Sequence, residues 1–222
     1  MQFTNTITVS VLMAVYNTPF KLVKRAIDSV LNQDFQRFEL IILDDGSDYE
    51  LSAKILHYCH LHPDKMTYSR HRNCGQSESI NRGVKMSNGR FISVIDADDE
   101  YKTHHLSGCL NEMPYSDLIS SLTETIVDCE EDLYVPDKFD NRKNIHVDDC
   151  TLFATLFGKK EVFETLPFNT MYSADGDFYE RAGLLFRTRK VNLRSYVYYR
   201  NSANSICSKL KNEQISLAQN LN

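Results

Sequence analysis

Short apolar runs alternate with segments of helical periodicity through the first hundred residues. Val9-Ser10-Val11-Leu12-Met13-Ala14-Val15 is apolar and rich in β-branched residues, the signature of a strand covered on both faces. Thr18-Pro19 then offers an N-cap followed by proline at the first helical position. Leu22, Val23, Ala26, Ile27, Val30 and Leu31 recur at helical spacing behind it and predict a helix through about Gln33. Leu40-Ile41-Ile42-Leu43 predicts a second buried strand, stopped abruptly by Asp44-Asp45-Gly46-Ser47-Asp48. A helix over 51–61, a short strand over 66–69 and a helix over 77–86 follow. Phe91-Ile92-Ser93-Val94-Ile95 is a further strand, again halted by acids at Asp96-Ala97-Asp98-Asp99.

Strands alternating with helices imply right-handed crossovers and a mostly parallel sheet flanked by helices, an α/β fold. Ligands of such sheets bind beyond the carboxyl ends of the strands. Two strands here end directly in acidic clusters, so both clusters are expected to line one crevice. The second half is less regular. Strands are predicted over 117–122, 124–127, 152–158 and 191–199, a helix over 177–185, and a polar loop over 130–144. The tail from Ser208 is polar with sparse Ile215 and Leu217, a frayed end or a short amphipathic helix. No repeat, low-complexity tract or linker interrupts the chain, so one domain is expected over 1–222.

Composition narrows the classes. Hydrophobic residues at 42% and charged residues at 25% of 222 describe an ordinary globular chain. A net charge of −5 carries no electrostatic footprint of a nucleic-acid binder. No run of 18 uninterrupted apolar residues suggests a transmembrane helix, and the N-terminus lacks the basic start and apolar stretch of a signal peptide. The six cysteines (Cys59, Cys74, Cys109, Cys129, Cys150, Cys207) are scattered with no C-x-x-C pair, which fits free, buried thiols in a reducing cytosol.

Several groups of residues are candidates for chemistry. Alternate carboxylates at the end of the strand over 91–95 can share one hard divalent cation, Mn²⁺ or Mg²⁺, with water and phosphate oxygens completing its shell. Such an ion stabilises a departing diphosphate; the same tetrapeptide also suits an acidic turn capping a helix. Asp44-Asp45-Gly46-Ser47 suits a turn as readily as a site. Asp175-Gly176-Asp177 lies beside Phe168, Tyr172, Phe178 and Tyr179; a carboxylate there can take a proton from an acceptor hydroxyl, or merely favour a helix N-terminus. His57, His60 and His62 read as a solvated helix end. His104 and His105 follow the acidic cluster and are possible neighbours of the site. Neither G-x-G-x-x-G nor a G-K-[ST] loop occurs, which argues against dinucleotide-binding and P-loop readings.

The order of these segments resembles family 2 glycosyltransferases. The resemblance is carried by residues 9–17, by Ser29-Val30-Leu31-Asn32-Gln33, and by Phe38 through Ser47. It continues through Gly75-Gln76-Ser77, Asn81-Arg82-Gly83 and Asn88 through Ile92 into Asp96-Ala97-Asp98-Asp99. It is dense over about 8–102 and looser to about 205, where Phe168 through Arg181 looks like the family's base segment. Tyr199-Arg200 with Ser205 looks like its closing motif.

The resemblance implies the GT-A fold and a nucleotide-sugar donor, with residues 8–102 as the donor half, 103–205 as the acceptor half and 206–222 as a tail. By position, Ala14 and Tyr16 border the nucleoside, Asp45 accepts from a uracil ring, and Asp44 supports that loop. Asp96 approaches the ribose, Asp98 binds Mn²⁺ or Mg²⁺, and Asp175 is the catalytic base of an inverting transfer. Two positions depart from the family pattern: Ala174 stands where an acid usually precedes the base, and Ser202 where a histidine often follows the arginine. The Q-x-x-R-W motif of processive synthases is absent, so transfer of a single sugar from a UDP-sugar to a glycan or glycolipid hydroxyl is expected. A cytoplasmic location is expected with it, with peripheral membrane contact open. Two alternatives are a catalytically weak subunit that holds nucleotide sugar and, further off, a nucleotidyltransferase.

Overall fold

The computed structural model describes residues 7–136, 143–171 and 173–200. Its first half runs β1 (Val9–Val15), α1 (Phe20–Leu31), β2 (Phe38–Asp44), α2 (Tyr49–Leu61), β3 (Met66–Arg70), α3 (Gln76–Met86) and β4 (Phe91–Asp96). Then come β5 (Glu100–Tyr101), α4 (His105–Glu112), β6 (Leu118–Ile126), β7 (Tyr134–Pro136) and β8 (Asn144–His146). β9 (Leu156–Lys159), α5 (Lys160–Thr165), α6 (Ala174–Gly183) and β10 (Thr188–Tyr199) follow. Eight strands form one sheet in the order β3-β2-β1-β4-β9-β6-β10-β5, while β7 and β8 pair as a separate ribbon. The β3-β2-β1-β4 block and the β6-β10 pair are parallel; β9 runs antiparallel between β4 and β6, and β5 antiparallel to β10. The expected mostly parallel sheet flanked by helices is therefore present.

Alternation along β1 builds a core on each face of the sheet. Val9, Val11, Met13 and Val15 join Val23, Ala26, Ile27 and Val30 of α1 and Leu51 and Ile55 of α2. Leu12 joins Ile41 and Leu43 of β2, Ile80 and Val84 of α3, and Phe178 and Ala182 of α6 on the other face. A strand covered on both sides has no polar face, which is why β1 and β2 are nearly continuous apolar runs, interrupted before Asp44 only by Ser10 and Glu39, which bond each other at 2.6 Å. The second core permits close approach at Gly83 of α3, where a Cβ would lie 2.6 Å from Leu43 Cδ1.

Several boundaries differ from the sequence expectation. α1 begins at Phe20 with Pro19 itself as the N-cap residue and no side-chain cap, so Thr18 does not cap it. The two strands expected over 117–122 and 124–127 are one strand, β6 (Leu118–Ile126). Glu124, whose charge interrupts the apolar pattern, is exposed and meets Lys102 Nζ at 2.5 Å without breaking the ladder. The loop expected over 130–144 contains a 3₁₀ turn at Glu130–Leu133 and the β7–β8 pairing. The strand expected over 152–158 is a 3₁₀ turn, Phe153–Thr155, leading into the short β9. α6 begins at Ala174, three residues earlier than expected, which puts Asp175 and Asp177 in its first turn. Tyr172, Ser202, Ser205, Cys207 and the tail over 206–222 lie outside the described residues.

Candidate active site

Strand register brings the two acidic clusters to one edge. Val15 of β1 lies opposite Asp44 of β2, and Ala14 lies opposite both Leu43 and Asp96. The start of α3 then ties the clusters together. The Gly75 N–H donates to Asp45 Oδ2 at 2.9 Å, and the Gln76 amide donates to Asp96 Oδ1 at 2.7 Å. Gln76 is a site neighbour missed by sequence reasoning, although it stands inside one of the quoted motifs.

Asp44 is fully buried and holds the turn. It accepts from the Ser47 N–H at 2.8 Å, from Ser52 Oγ at 2.5 Å and from the Tyr68 hydroxyl. Burial alone would raise its pKa, but these hydrogen bonds outweigh it and hold the carboxyl below its ordinary value. Asp45 clasps the following loop, accepting from the N–H of Cys74 at 2.7 Å and from Asn73 Nδ2 at 3.2 Å. Gly46 has φ +82°, and a Cβ there would lie 2.9 Å from the Asn73 nitrogen, so this turn requires glycine. Ala14 is partly buried near the end of β1, whereas Tyr16 is 54% exposed just beyond it. Asn17, at φ +49°, accepts from the Asp48 N–H at 2.8 Å and so fixes this corner to the acidic turn. A cavity of about 600 Å³ opens beside it, lined by Gly46, Arg70, His71, Arg72 and Asn73.

The second cluster is crowded with negative charge. Asp96 is partly buried and its pKa is pushed up to about 7 by burial, with the charges of Asp98 and Asp175 adding to the shift. Asp98 is raised by burial, opposed by the Arg25 guanidinium. Asp175 is also raised by burial, against hydrogen bonds from the Gly176 N–H at 2.8 Å and the Phe153 N–H at 3.2 Å. Asp175 comes from α6, in the far half of the chain, yet acts on Asp96; the two halves meet at this edge. Asp99 turns inward, accepting from the Tyr196 hydroxyl at 2.6 Å and the Tyr199 N–H at 2.8 Å.

Burial raises all three carboxyls, and the charges of Asp98 and Asp175 raise Asp96 further; a divalent cation would relieve this set of hard oxygen donors. Asp98 with Asp96 beside it therefore fits Mg²⁺ or Mn²⁺ with phosphate and water as remaining ligands. Another candidate set is Asp45, His71 and Cys74, whose donor atoms lie 3.4–3.5 Å apart. These atoms already hydrogen-bond within the loop, and the thiol and imidazole suit softer ions.

His105 belongs to the core. It stacks on Tyr101 at 3.9 Å, bonds Ser195 Oγ at 2.9 Å, and burial drives its pKa down to about 3. His104 bounds the N-terminus of α4 without a side-chain cap. Of the described cysteines Cys59 and Cys109 are buried, Cys74 and Cys150 partly so, and Cys129 is exposed, so uniform burial does not hold. No helix among the described residues is long and apolar enough to cross a membrane.

A helix-flanked, mostly parallel sheet that ends in two acidic clusters, with a third carboxylate facing them from the second half, is the GT-A architecture of nucleotide-sugar transferases. The chain belongs to glycosyl transferase family 2, whose family model matches residues 10–176. It is similar to an uncharacterized glycosyltransferase of Rickettsia prowazekii, 27% identical over 222 residues, covering 91% of this chain and 68% of that protein. The minor teichoic acid biosynthesis protein GgaB of Bacillus subtilis is 34% identical over 92 residues, 40% of this chain and 10% of GgaB. Among solved structures, TarS 1–349 of S. aureus shares the fold at TM-score 0.66 and 21% identity, covering 88% of this chain and 61% of TarS 1–349. The mannosyltransferase PcManGT of Pyrobaculum calidifontis, solved with GDP-Man and Mn²⁺, does so at TM-score 0.68 and 16% identity, covering 85% of this chain and 56% of that one. TarS 1–349 is also known in complex with UDP and with UDP-GlcNAc. This chain thus spans less than two thirds of the length of these solved chains.

Proposed function

We propose that this chain is the catalytic domain of a metal-dependent, inverting, non-processive glycosyltransferase that moves one sugar from a UDP-sugar to a hydroxyl of a glycan or glycolipid. The observation that carries this reading is the position of Asp96 at the carboxyl edge of the sheet, where the charges of both Asp98 and the distant Asp175 act on it. The UDP, UDP-GlcNAc and GDP-Man complexes of fold relatives support a nucleotide-sugar donor.

In this reading the donor nucleoside lies across the ends of β1 and β2. Ala14 and Tyr16 border it, Asp45 accepts from the uracil ring, and Asp44 keeps the turn rigid. Asp96 receives the ribose, and Asp98 with its neighbours holds Mn²⁺ or Mg²⁺. When bound, the cation neutralises the diphosphate leaving group. Asp175 takes the proton of the acceptor hydroxyl as that oxygen bonds to the anomeric carbon, while the bond from that carbon to the diphosphate oxygen breaks. One base and one displacement give inversion. Burial raises the Asp175 pKa, which makes it a stronger base than an exposed aspartate. Residues 8–102 serve as the donor half and 103–205 as the acceptor half.

Calorimetric titration of UDP and GDP, each with Mn²⁺ and with EDTA, tests the donor reading. UDP binding that Mn²⁺ tightens is expected, with Asp98→Ala reducing it to the weak metal-free level. Preferential GDP binding would reassign the donor, and binding of neither would overturn the nucleotide-sugar reading. Screening UDP-sugars for transfer then tests turnover.

A further inference from the structure

Arg25 projects from α1, a helix that carries none of the residues assigned above, yet it reaches the acidic turn. Its Nη2 donates to the main-chain carbonyl of Asp98, and its guanidinium lies 3.7 Å from the centre of the Tyr199 ring. Its Nε is 3.6 Å from Glu100 Oε2, which also accepts from the Tyr199 hydroxyl at 3.2 Å. One planar cation thus touches the metal-ligand candidate, the residue two places after it, and the end of β10.

The opposite side of the turn is held independently. Tyr196 and Tyr199 of β10 bind Asp99, and the Tyr196 hydroxyl accepts from the Asp96 N–H at 3.3 Å. The turn over 96–99 is therefore fixed at Asp96 and Asp99 by β10 and at Asp98 by Arg25. A carbonyl pinned in this way fixes the peptide plane beside the Asp98 Cα and with it the direction in which the carboxylate leaves the backbone.

We propose that Arg25 is a positioning residue for the divalent-cation site, orienting Asp98 through its carbonyl and joining it to the end of β10 through the Tyr199 ring. The inference rests on Asp98 being the metal ligand. Lysine does not reproduce the arrangement, because an ammonium offers no planar face for stacking and no rigid fork. Groups that orient a metal ligand typically cost about 10–100-fold in metal affinity when removed.

The test is titration of Mn²⁺ followed by the spin-resonance signal of the free ion, with UDP present, on wild type, Arg25→Ala and Arg25→Lys. UDP affinity in EDTA and the thermal midpoint of each protein are measured beside it. The expected result is that Arg25→Ala weakens Mn²⁺ binding by at least about tenfold, with metal-free UDP affinity kept within about twofold. Arg25→Lys should recover only part of the loss. Tyr199→Leu, which removes the stack while leaving the Asp98 bond, should cost less than Arg25→Ala and keeps the test informative if Arg25→Ala folds poorly. Equal Mn²⁺ affinity in wild type and Arg25→Ala would overturn the inference and leave the metal reading intact. So would full recovery by lysine, or loss of metal-free UDP binding in parallel. No Mn²⁺ binding by wild type would overturn the metal reading and the inference with it.

Discussion

Replacing Asp96 by asparagine tests the electrostatics of the site without any substrate. The Asp96 pKa is pushed up to about 7 in the folded chain, whereas an unfolded aspartate titrates near about 3.9. A carboxyl raised by folding gives stability that is present at low pH and lost as pH climbs from the unfolded to the folded value. At about 1.4 kcal/mol per unit, a shift of about 3 units corresponds to about 4 kcal/mol lost between roughly pH 4 and pH 8. Asp98, Asp99 and Asp175 are raised as well, so the burden is shared and about 2–4 kcal/mol is the expected range for Asp96. In a chain of this size that is roughly 4–16 °C in thermal midpoint.

Asparagine keeps the shape and can still accept from Gln76 through its amide oxygen, so the change removes mainly the charge. Thermal unfolding of wild type and Asp96→Asn, in EDTA at half-unit steps from pH 5 to pH 8.5, gives the quantity that matters. That quantity is the difference between the two proteins, because carboxyls elsewhere titrate in both. The variant should gain on wild type steadily as pH rises. Saturating Mn²⁺ should narrow the gap by stabilising wild type more than the variant at the alkaline end. Parallel curves in EDTA over the whole range would refute the crowding argument and remove the support it lends to a cation site.

Three further outcomes are expected. Asp175→Asn should lower transfer by about 10²–10⁴-fold while leaving the affinity for UDP with Mn²⁺ within about twofold; a calorimetric titration beside a turnover assay separates the two, and undiminished turnover would remove Asp175 as base. Asp44→Ala strands Ser52, Tyr68 and the Ser47 N–H in a closed interior; it should cost about 2–4 kcal/mol in urea unfolding, and a loss under 1 kcal/mol would show that water replaces the carboxylate. Gly89→Ala would place a Cβ 2.5 Å from the Ser10 nitrogen and 2.7 Å from the Val9 carbonyl carbon; overpacking against backbone should cost about 1–3 kcal/mol or more, and a wild-type urea midpoint would contradict that close approach.

The first half of the fold was legible because its signals are local and agree with one another. β1 and β2 are buried on both faces, so their side chains are mostly apolar without alternation, and Asp44 and Asp96 end the parallel strands β2 and β4 at the edge of the candidate site. The second half is organised by partners distant in sequence. β9 has four residues and is a strand because β4 and β6 flank it, not because its own pattern demands it. β6 survives the break at Glu124 because β10 continues alongside it beyond a bulge at Val191/Tyr196. His105 shows the same limit from the other side: next to the acidic cluster in sequence, it points into the core, where Tyr101 and Ser195 decide its role.

The parts of the site differ in the same physical way. The acids stand out because a carboxylate at the end of an apolar strand must be hydrogen-bonded, paired or occupied by a ligand, and any of these leaves a recognisable motif. The residues that hold those acids need only a donor at the right distance, and donors are common. Gln76, Tyr196 and Arg25 reach the turn over 96–99 from α3, β10 and α1, across separations of 20, 100 and 73 residues. Their geometry comes from sheet order and helix packing, so no spacing in the chain announces it. The candidate chemistry was therefore readable from sequence, whereas the machinery that aims it required the fold. For the same reason, substitutions at Arg25 are more informative than further changes to the aspartates themselves. An aspartate variant removes a proposed ligand, whereas an Arg25 variant leaves every proposed ligand in place and asks whether direction alone decides how tightly the proposed site holds an ion.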